Sequence, residues 1–188
     1  MNIPNSLTLV RIVLIPVFVL VFYLPYSWTN VGCAAIFAFA AITDWLDGYL
    51  ARRLGQSSAF GAFLDPVADK LMVAVVLILL VQADPQPWLA VPAAIIIGRE
   101  IVISALREWM AELGQRAKVA VVTVAKVKTT LQMIALVLML YHEPIGWLPT
   151  YALGFTLLYV AAALTLWSMF VYLRAAWPLV LPGARQGG

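Results

Sequence analysis

Residues 43–70 read TDWLDGYLARRLGQSSAFGAFLDPVADK and place four carboxylates within or beside long apolar runs. These carboxylates belong to Asp44, Asp47, Asp65 and Asp69. An ionised carboxylate at membrane depth is costly unless it pairs with a cation or lines a polar cavity. The stretch therefore predicts a functional site, with a structural polar network or an ion-conducting path as the alternatives.

Helical geometry places the acids of this stretch on two stripes. At about 100° of turn per residue, the first helix presents acidic, small and basic residues within an arc of roughly 140°, namely Asp44, Asp47, Gly48, Ala51 and Arg52. The second helix presents Gly61, Asp65 and Asp69 within roughly 80°. The polar segment between them, residues 53–60, predicts a hairpin turn. The four carboxylates can therefore converge on one point.

Four converging carboxylates predict a divalent-cation site. Without cations they would repel one another strongly in a low dielectric. A ligand set made only of oxygen atoms favours Mg²⁺, Mn²⁺ or Ca²⁺ over zinc. Gly48 and Gly61 lie beside the acids and leave space for a flat or bulky ligand to approach the backbone.

The composition predicts an all-α integral membrane protein. The 188 residues are 64% hydrophobic and only 11% charged, with a mean hydropathy of +0.96, far from the averages of soluble proteins. Apolar runs of about 20 residues, the length that spans a bilayer, occur near residues 7–25, 30–52, 61–82, 88–108, 119–140 and 149–173. Six transmembrane helices leave almost no chain for a second domain, so residues 1–188 are predicted to form one membrane domain.

The distribution of basic residues predicts the orientation in the membrane. The connections after the first, third and fifth spans, residues 24–29, 83–87 and 141–148, contain no Lys or Arg. The opposite connections and the C-terminal segment contain Arg52, Arg53, Arg107, Arg116, Lys118, Arg174 and Arg185. The positive-inside rule therefore places both termini and the acidic stretch on the cytoplasmic side. Because the net charge of +3 is this expected bias, nucleic-acid binding is not indicated.

Basic residues inside the fourth and fifth spans are candidates for binding an anionic substrate. Arg99 and Arg107 lie about 80° apart on their helix, so one concave surface can use both. Lys126 and Lys128 lie about 200° apart, so we expect only one of them to face that surface. Lys126 is favoured because two threonines share its face, whereas snorkelling or ion pairing is the alternative for Lys128. Glu100 shares a stripe with Arg107 and is expected to pair with it.

The acidic stretch resembles the signature of the CDP-alcohol phosphotransferase family. The pattern is Asp-x-x-Asp-Gly-x-x-Ala-Arg, eight residues, then Gly-x-x-x-Asp-x-x-x-Asp, and it matches at every position from Asp44 to Asp69. Outside it, the segments NIPNSLTLVR, GREIVISALREWMAELG and KVKTT resemble one branch of the family, the phosphatidylglycerophosphate synthases. The resemblance covers nearly the whole chain.

The resemblance implies a role for each candidate residue. Two divalent ions, Mg²⁺ or Mn²⁺, would be held by Asp44, Asp47, Asp65 and Asp69, and Asp69 would also be the general base. The CDP group would be bound by Gly48, Ala51, Arg52 and Gly61. The phosphate of the acceptor would be bound by Arg99, Arg107 and Lys126.

The resemblance also implies a reaction and a location. The phosphatidyl group of CDP-diacylglycerol would pass to sn-glycerol 3-phosphate with release of CMP, in a homodimer of the bacterial cytoplasmic (inner) membrane. Other acceptors within the family, inositol phosphate or phosphatidylglycerol, remain alternatives. Outside this class, the alternatives are a cation transporter that uses the aspartates as a relay and a lipid-binding scaffold.

Overall fold

The protein is a bundle of α-helices. Its structure, a computed structural model, describes residues 3–54, 59–112 and 122–180. The six helices of these residues are α1 (Ile3–Phe22), α2 (Thr29–Leu54), α3 (Ala59–Ala83), α4 (Pro87–Glu112), α5 (Val122–Tyr141) and α6 (Thr150–Val180). The described residues contain no β-strand beyond an isolated bridge between Ile145 and Leu148. The all-α class is confirmed, and each helix overlaps one of the six predicted apolar runs.

Helix α2 and helix α3 extend further than the sequence predicted. Helix α2 continues to Leu54 and α3 begins at Ala59, so both ends of the predicted turn, residues 53–60, are helical, and its middle, residues 55–58, lies outside the described residues. The difference arises because Arg53 and Leu54 are both good helix formers, although arginine is not apolar. A hydropathy pattern therefore ends at the arginine pair while the helix continues.

Helix packing runs around the bundle in a closed order. Helix α1 packs on α2, α2 on α5, α5 on α6, α6 on α4, α4 on α3, and α3 on α1 again. Helix α3 also contacts α2 and α5. At the α5–α6 contact, a Cβ atom on Gly154 would lie 2.8 Å from the backbone oxygen of Ala135, so this close approach requires glycine.

Every helix contributes a fully buried side chain to the core and large apolar side chains also cover the outside. The buried set includes Phe18, Phe37, Leu77, Ile96, Leu136 and Leu158. On the outside, Leu20, Ile42, Ile101 and Phe170 are each more than 60% exposed. An apolar surface of this extent is unusual for a soluble monomer.

The three connections that lack Lys and Arg lie together at one end of the bundle. The hydroxyl of Tyr23 donates to Gln82 Oε1 at 2.5 Å, which joins the ends of α1 and α3. The hydroxyl of Tyr151 donates to Asp84 Oδ2 at 2.7 Å, and its ring lies 4.7 Å from that of His142. The connections α1–α2, α3–α4 and α5–α6 therefore share one end, which we call the outer end.

Two helical segments of the described chain are long and apolar enough to cross a membrane, Pro87–Met110 and Thr150–Arg174. Shorter apolar helical segments cover Leu7–Phe22, Thr29–Asp44 and Val127–Tyr141. Length and composition thus agree with the predicted membrane character in these parts of the chain.

Candidate active site

Two of the four predicted metal ligands line one small cavity. Asp44 of α2 and Asp69 of α3 line this cavity together with Arg11 of α1 and Met133 of α5. Arg11 donates a hydrogen bond from Nη1 to Asp44 Oδ1. The Arg11 side chain is 2% exposed and that of Asp44 is 40% exposed, so the arginine is enclosed while the carboxylate remains accessible. We call Arg11, Asp44 and Asp69 the acidic site.

The acidic site has an excess of negative charge. It contains two carboxylates and one guanidinium, and the half-buried Asp69 interacts electrostatically with both Asp44 and Arg11. The donor atoms that it offers to a ligand are carboxylate oxygens, which hard divalent cations such as Mg²⁺ and Mn²⁺ prefer. The described half of the predicted ligand set therefore fits such an ion.

The other residues predicted for this part of the site lie outside the described side chains. They are Asp47, Gly48, Ala51, Arg52, Gly61 and Asp65. Among the side chains that are described, no three His, Cys, Asp or Glu residues come together as a metal-binding group. The convergence of all four aspartates accordingly stays a prediction.

A second charged cluster joins α4, α5 and α6. Glu100 Oε1 accepts a hydrogen bond from Arg99 Nη1 at 2.6 Å and another from Lys128 Nζ at 3.2 Å. Arg99 Nη2 also donates to the buried Ser168 Oγ on α6 at 3.2 Å. The side chains of Arg99 and Lys128 are 7% and 3% exposed. We call Arg99, Glu100 and Lys128 the basic cluster.

The basic cluster shows the partners of Glu100 and bears on the choice between the two lysines. Glu100 is ion-paired with Arg99 and Lys128, and its predicted pair with Arg107 stays a prediction. The guanidinium of Arg107 and the side chain of Lys126 lie outside the described residues. Lys128, for which ion pairing was one alternative, is buried and ion-paired.

The acidic site and the basic cluster lie next to each other. The charge of Glu100 acts electrostatically on Asp69. Lys70, the residue after Asp69, donates to Ser104 Oγ, and Ser104 Oγ donates to the backbone oxygen of Glu100 at 2.6 Å. A ligand that contacts Asp69 can therefore also reach the edge of the basic cluster.

A mostly apolar cavity of about 440 Å³ lies between α3 and α4 beside this junction. Its polar lining comes from Lys70, Glu100 and Ser104, and the remaining lining side chains are aliphatic. The junction of acidic and basic groups is thus bordered by an apolar space.

A sequence profile of the CDP-alcohol phosphatidyltransferase family matches residues 1–167. The chain belongs to this family. The resemblance predicted from the acidic stretch is therefore confirmed, and as a CDP-alcohol phosphatidyltransferase the protein is an enzyme of a class that uses divalent metal ions.

Curated CDP-alcohol phosphatidyltransferases match the chain over nearly its full length. A Pseudomonas fluorescens protein named CDP-diacylglycerol–glycerol-3-phosphate 3-phosphatidyltransferase is 61% identical over 189 residues, covering 99% of this chain and 95% of the relative. Proteins of the same name from Yersinia enterocolitica and Sodalis glossinidius are each 57% identical, covering 94% of this chain and 96% and 95% of the relatives.

Arg11 of the acidic site and Ser168, which bonds to Arg99 of the basic cluster, were not considered as site residues from the sequence. Arg11 lies within an apolar helix, where a charged side chain is costly unless it has a partner. This cost is a signal in the sequence that could have identified Arg11 as a site candidate. Ser168 carries no comparable signal, because a single serine in an apolar helix commonly bonds to its own backbone. Ser168 does so as well, donating to the backbone oxygen of Thr165 at 2.9 Å.

Proposed function

We propose that this CDP-alcohol phosphatidyltransferase transfers the phosphatidyl group from CDP-diacylglycerol to sn-glycerol 3-phosphate, giving phosphatidylglycerophosphate and CMP. Relatives at 57–61% identity carry the names of these substrates. The observation that carries the proposal in this structure is that the acidic site and the basic cluster are neighbours, since Lys70, next to Asp69, bonds to Ser104, whose hydroxyl donates to the backbone oxygen of Glu100. The acidic site suits a pyrophosphate that is bound through divalent cations. The basic cluster suits an acceptor that carries a phosphate group of its own.

The acidic site would hold the divalent ions. Asp44 and Asp69 supply oxygen donors at a shared cavity, and we propose that Asp47 and Asp65 complete the ligand set for two ions, Mg²⁺ or Mn²⁺. Ions bound there would neutralise negative charge on the pyrophosphate and on the departing CMP. Arg11 would keep Asp44 in position through its hydrogen bond.

The residues of the chain would carry out the remaining steps. Asp69 would accept the proton of the hydroxyl at carbon 1 of the acceptor. The oxygen of that hydroxyl then bonds to the β-phosphorus, and the bond from this phosphorus to CMP breaks. Arg52 would bond to pyrophosphate oxygens, and the small residues of the signature would admit the cytidine, namely Gly48, Ala51 and Gly61.

The phosphate of the acceptor would bind at Arg99, with Arg107 and one of the two lysines of α5. A guanidinium has five N–H donors, and Arg99 uses only Nη1 and Nη2 in the hydrogen bonds to Glu100 and Ser168. Its buried Nε has no hydrogen-bond partner among the described residues. A buried donor without a partner is costly, and an incoming phosphate oxygen would satisfy it. For the lysine, the contacts of Lys128 with Glu100 favour Lys128, while Lys126 remains the prediction from the sequence.

We further propose that residues 1–188 form one membrane domain with six spans and cytoplasmic termini. The apolar outer surface and the gathering of the three connections without Lys or Arg at the outer end support this orientation. The charged sites would then face the cytoplasm from within the inner leaflet of the bacterial inner membrane. The family resemblance adds a homodimer, which cross-linking in membranes would test.

The test of the proposed reaction is CMP release by the purified protein in lipid nanodiscs with CDP-diacylglycerol and Mg²⁺ or Mn²⁺. The acceptors compared are glycerol 3-phosphate, inositol phosphate, serine and phosphatidylglycerol, each with and without EDTA. We expect turnover with glycerol 3-phosphate alone and its loss in EDTA. Turnover with a different acceptor would keep the site and reject the assignment of the acceptor. Cation flux without CMP release in the folded protein would favour a transporter.

A further inference from the structure

Glu100 is an acid at the centre of a cluster of cations, and the mechanism above gives it no contact with a substrate. Its Oε1 atom accepts hydrogen bonds from Arg99 on its own helix and from Lys128 on α5. The backbone oxygen of Glu100 also accepts the hydroxyl of Ser104, which in turn accepts a bond from Lys70. This one residue thus connects the cations of three helices.

The cost of burying these cations explains why a carboxylate is present. Arg99 and Lys128 are both nearly inaccessible, and two buried cations without a counter-charge would repel each other and lose hydration. One carboxylate bonded to both cations offsets part of this cost, and Arg99, Glu100 and Lys128 together carry one more positive than negative charge. These three side chains together therefore still attract an anion.

We infer that Glu100 is a positioning residue that holds Arg99 and Lys128 in the geometry that binds the phosphate of the acceptor. This inference rests on the proposed function. Arg99 is held on two sides, by Glu100 through Nη1 and by Ser168 through Nη2, so that its Nε is left for a ligand. Lys128 is held by the same carboxylate oxygen, so displacement of Glu100 changes the position of both cations.

Glu100→Gln tests the inference because it removes the charge and keeps the shape of the side chain. We expect KM for glycerol 3-phosphate to rise about tenfold or more, since hydrogen bonds to charged groups contribute that order of binding. The kcat value at saturating substrates should change little, because Asp69 and the acidic site remain. Glu108→Gln is the matched control, since it makes the same change at an exposed carboxylate of the same helix.

Glu100→Asp keeps the charge and withdraws the carboxylate by one methylene. A positioning role predicts a smaller increase in KM, about three- to fivefold, and this variant decides the question if Glu100→Gln does not fold. An unchanged KM in Glu100→Asp would overturn the inference, because position would then have no effect on binding.

Two other results would also overturn it. A lower KM in Glu100→Gln would mean that the carboxylate competes with the phosphate for the cations. A shifted pH profile of kcat with an unchanged KM would mean that Glu100 acts through the charge on Asp69. The wild-type protein is measured first with each acceptor, so failure of the proposed reaction appears there, before any variant is compared.

Discussion

The acidic site and the basic cluster are built with opposite balances of charge. In the acidic site, two described carboxylates enclose one arginine, whereas in the basic cluster two cations enclose one carboxylate. In each site the single residue of opposite charge is hydrogen-bonded to its neighbours. This residue is Arg11 in the acidic site and Glu100 in the basic cluster. Each site can therefore fold without its ligand and still keep an excess charge that attracts it.

This contrast assigns different kinetic roles to the two sites. The acidic site would act on the reacting phosphorus and on the proton of the acceptor, so its loss should appear in kcat. The basic cluster would hold a phosphate that does not react, so its loss should appear in KM for the acceptor. Substitutions in each site can separate these effects.

The largest effect is expected from Asp69→Asn. Asparagine keeps the size of the side chain but cannot accept the proton of the acceptor, and loss of a general base lowers kcat by about 10²–10⁴-fold. CMP release at saturating glycerol 3-phosphate measures this loss, and KM for the acceptor should change less than about threefold. Asp84→Asn at the outer end is the control acid. A variant that kept its kcat would remove Asp69 from the reaction.

The next effect is expected from Arg99→Met, which removes the guanidinium and keeps an unbranched apolar side chain. KM for glycerol 3-phosphate should rise about 10- to 100-fold, because charge-assisted hydrogen bonds to the phosphate are lost. KM for CDP-diacylglycerol serves as the internal reference and should stay within about twofold. If kcat fell while KM for the acceptor stayed constant, the separation between the two sites would be wrong.

A smaller effect distinguishes the two lysines of α5. Lys128→Met should raise KM for glycerol 3-phosphate about three- to tenfold, because Lys128 belongs to the basic cluster. Lys126→Met is the matched variant two residues away, and a straight helix separates the two positions by about 200°. A larger effect of Lys126→Met would mean that Lys126 binds the phosphate of the acceptor, as the sequence predicted, and that Lys128 does not.

The sequence predicted the helices well because each is an apolar run that ends in polar or proline-rich residues. Helix α4 begins at Pro87, where the predicted span began at residue 88, since proline is favoured in the first turn. The predicted ends were less accurate. Helix α6 continues to Val180, beyond the predicted residue 173, because hydropathy does not report the helix propensity of Arg174 and the alanines after it.

The sequence also predicted the acids, but it could not predict the counter-charges. Spacing within one helix indicates which residues share a face, and on that basis Glu100 was paired with Arg107. Two of the observed ion pairs join different helices, at sequence separations of 33 residues for Arg11 and Asp44 and 28 residues for Glu100 and Lys128. Which residues meet across helices depends on how far each helix is shifted along its neighbour, and periodicity within a helix contains no information about that shift.

Arg11 offers the subtlest test of the contrast, since it is the counter-charge that spacing did not predict. In Arg11→Met the carboxylates of the acidic site lose their only described cation partner within that cavity, so the apoprotein should be destabilised. Divalent ions bind the folded state and can replace the missing charge, so Mg²⁺ should raise the Tm of the variant more than that of wild type. We expect a difference of about 2–4 °C, which corresponds to about 1 kcal/mol in a chain of this length. Arg174→Met, at an exposed position on α6, is the control. Equal Tm shifts in Arg11→Met and wild type would show that Arg11 packs against the bundle without balancing the charge of the acidic site.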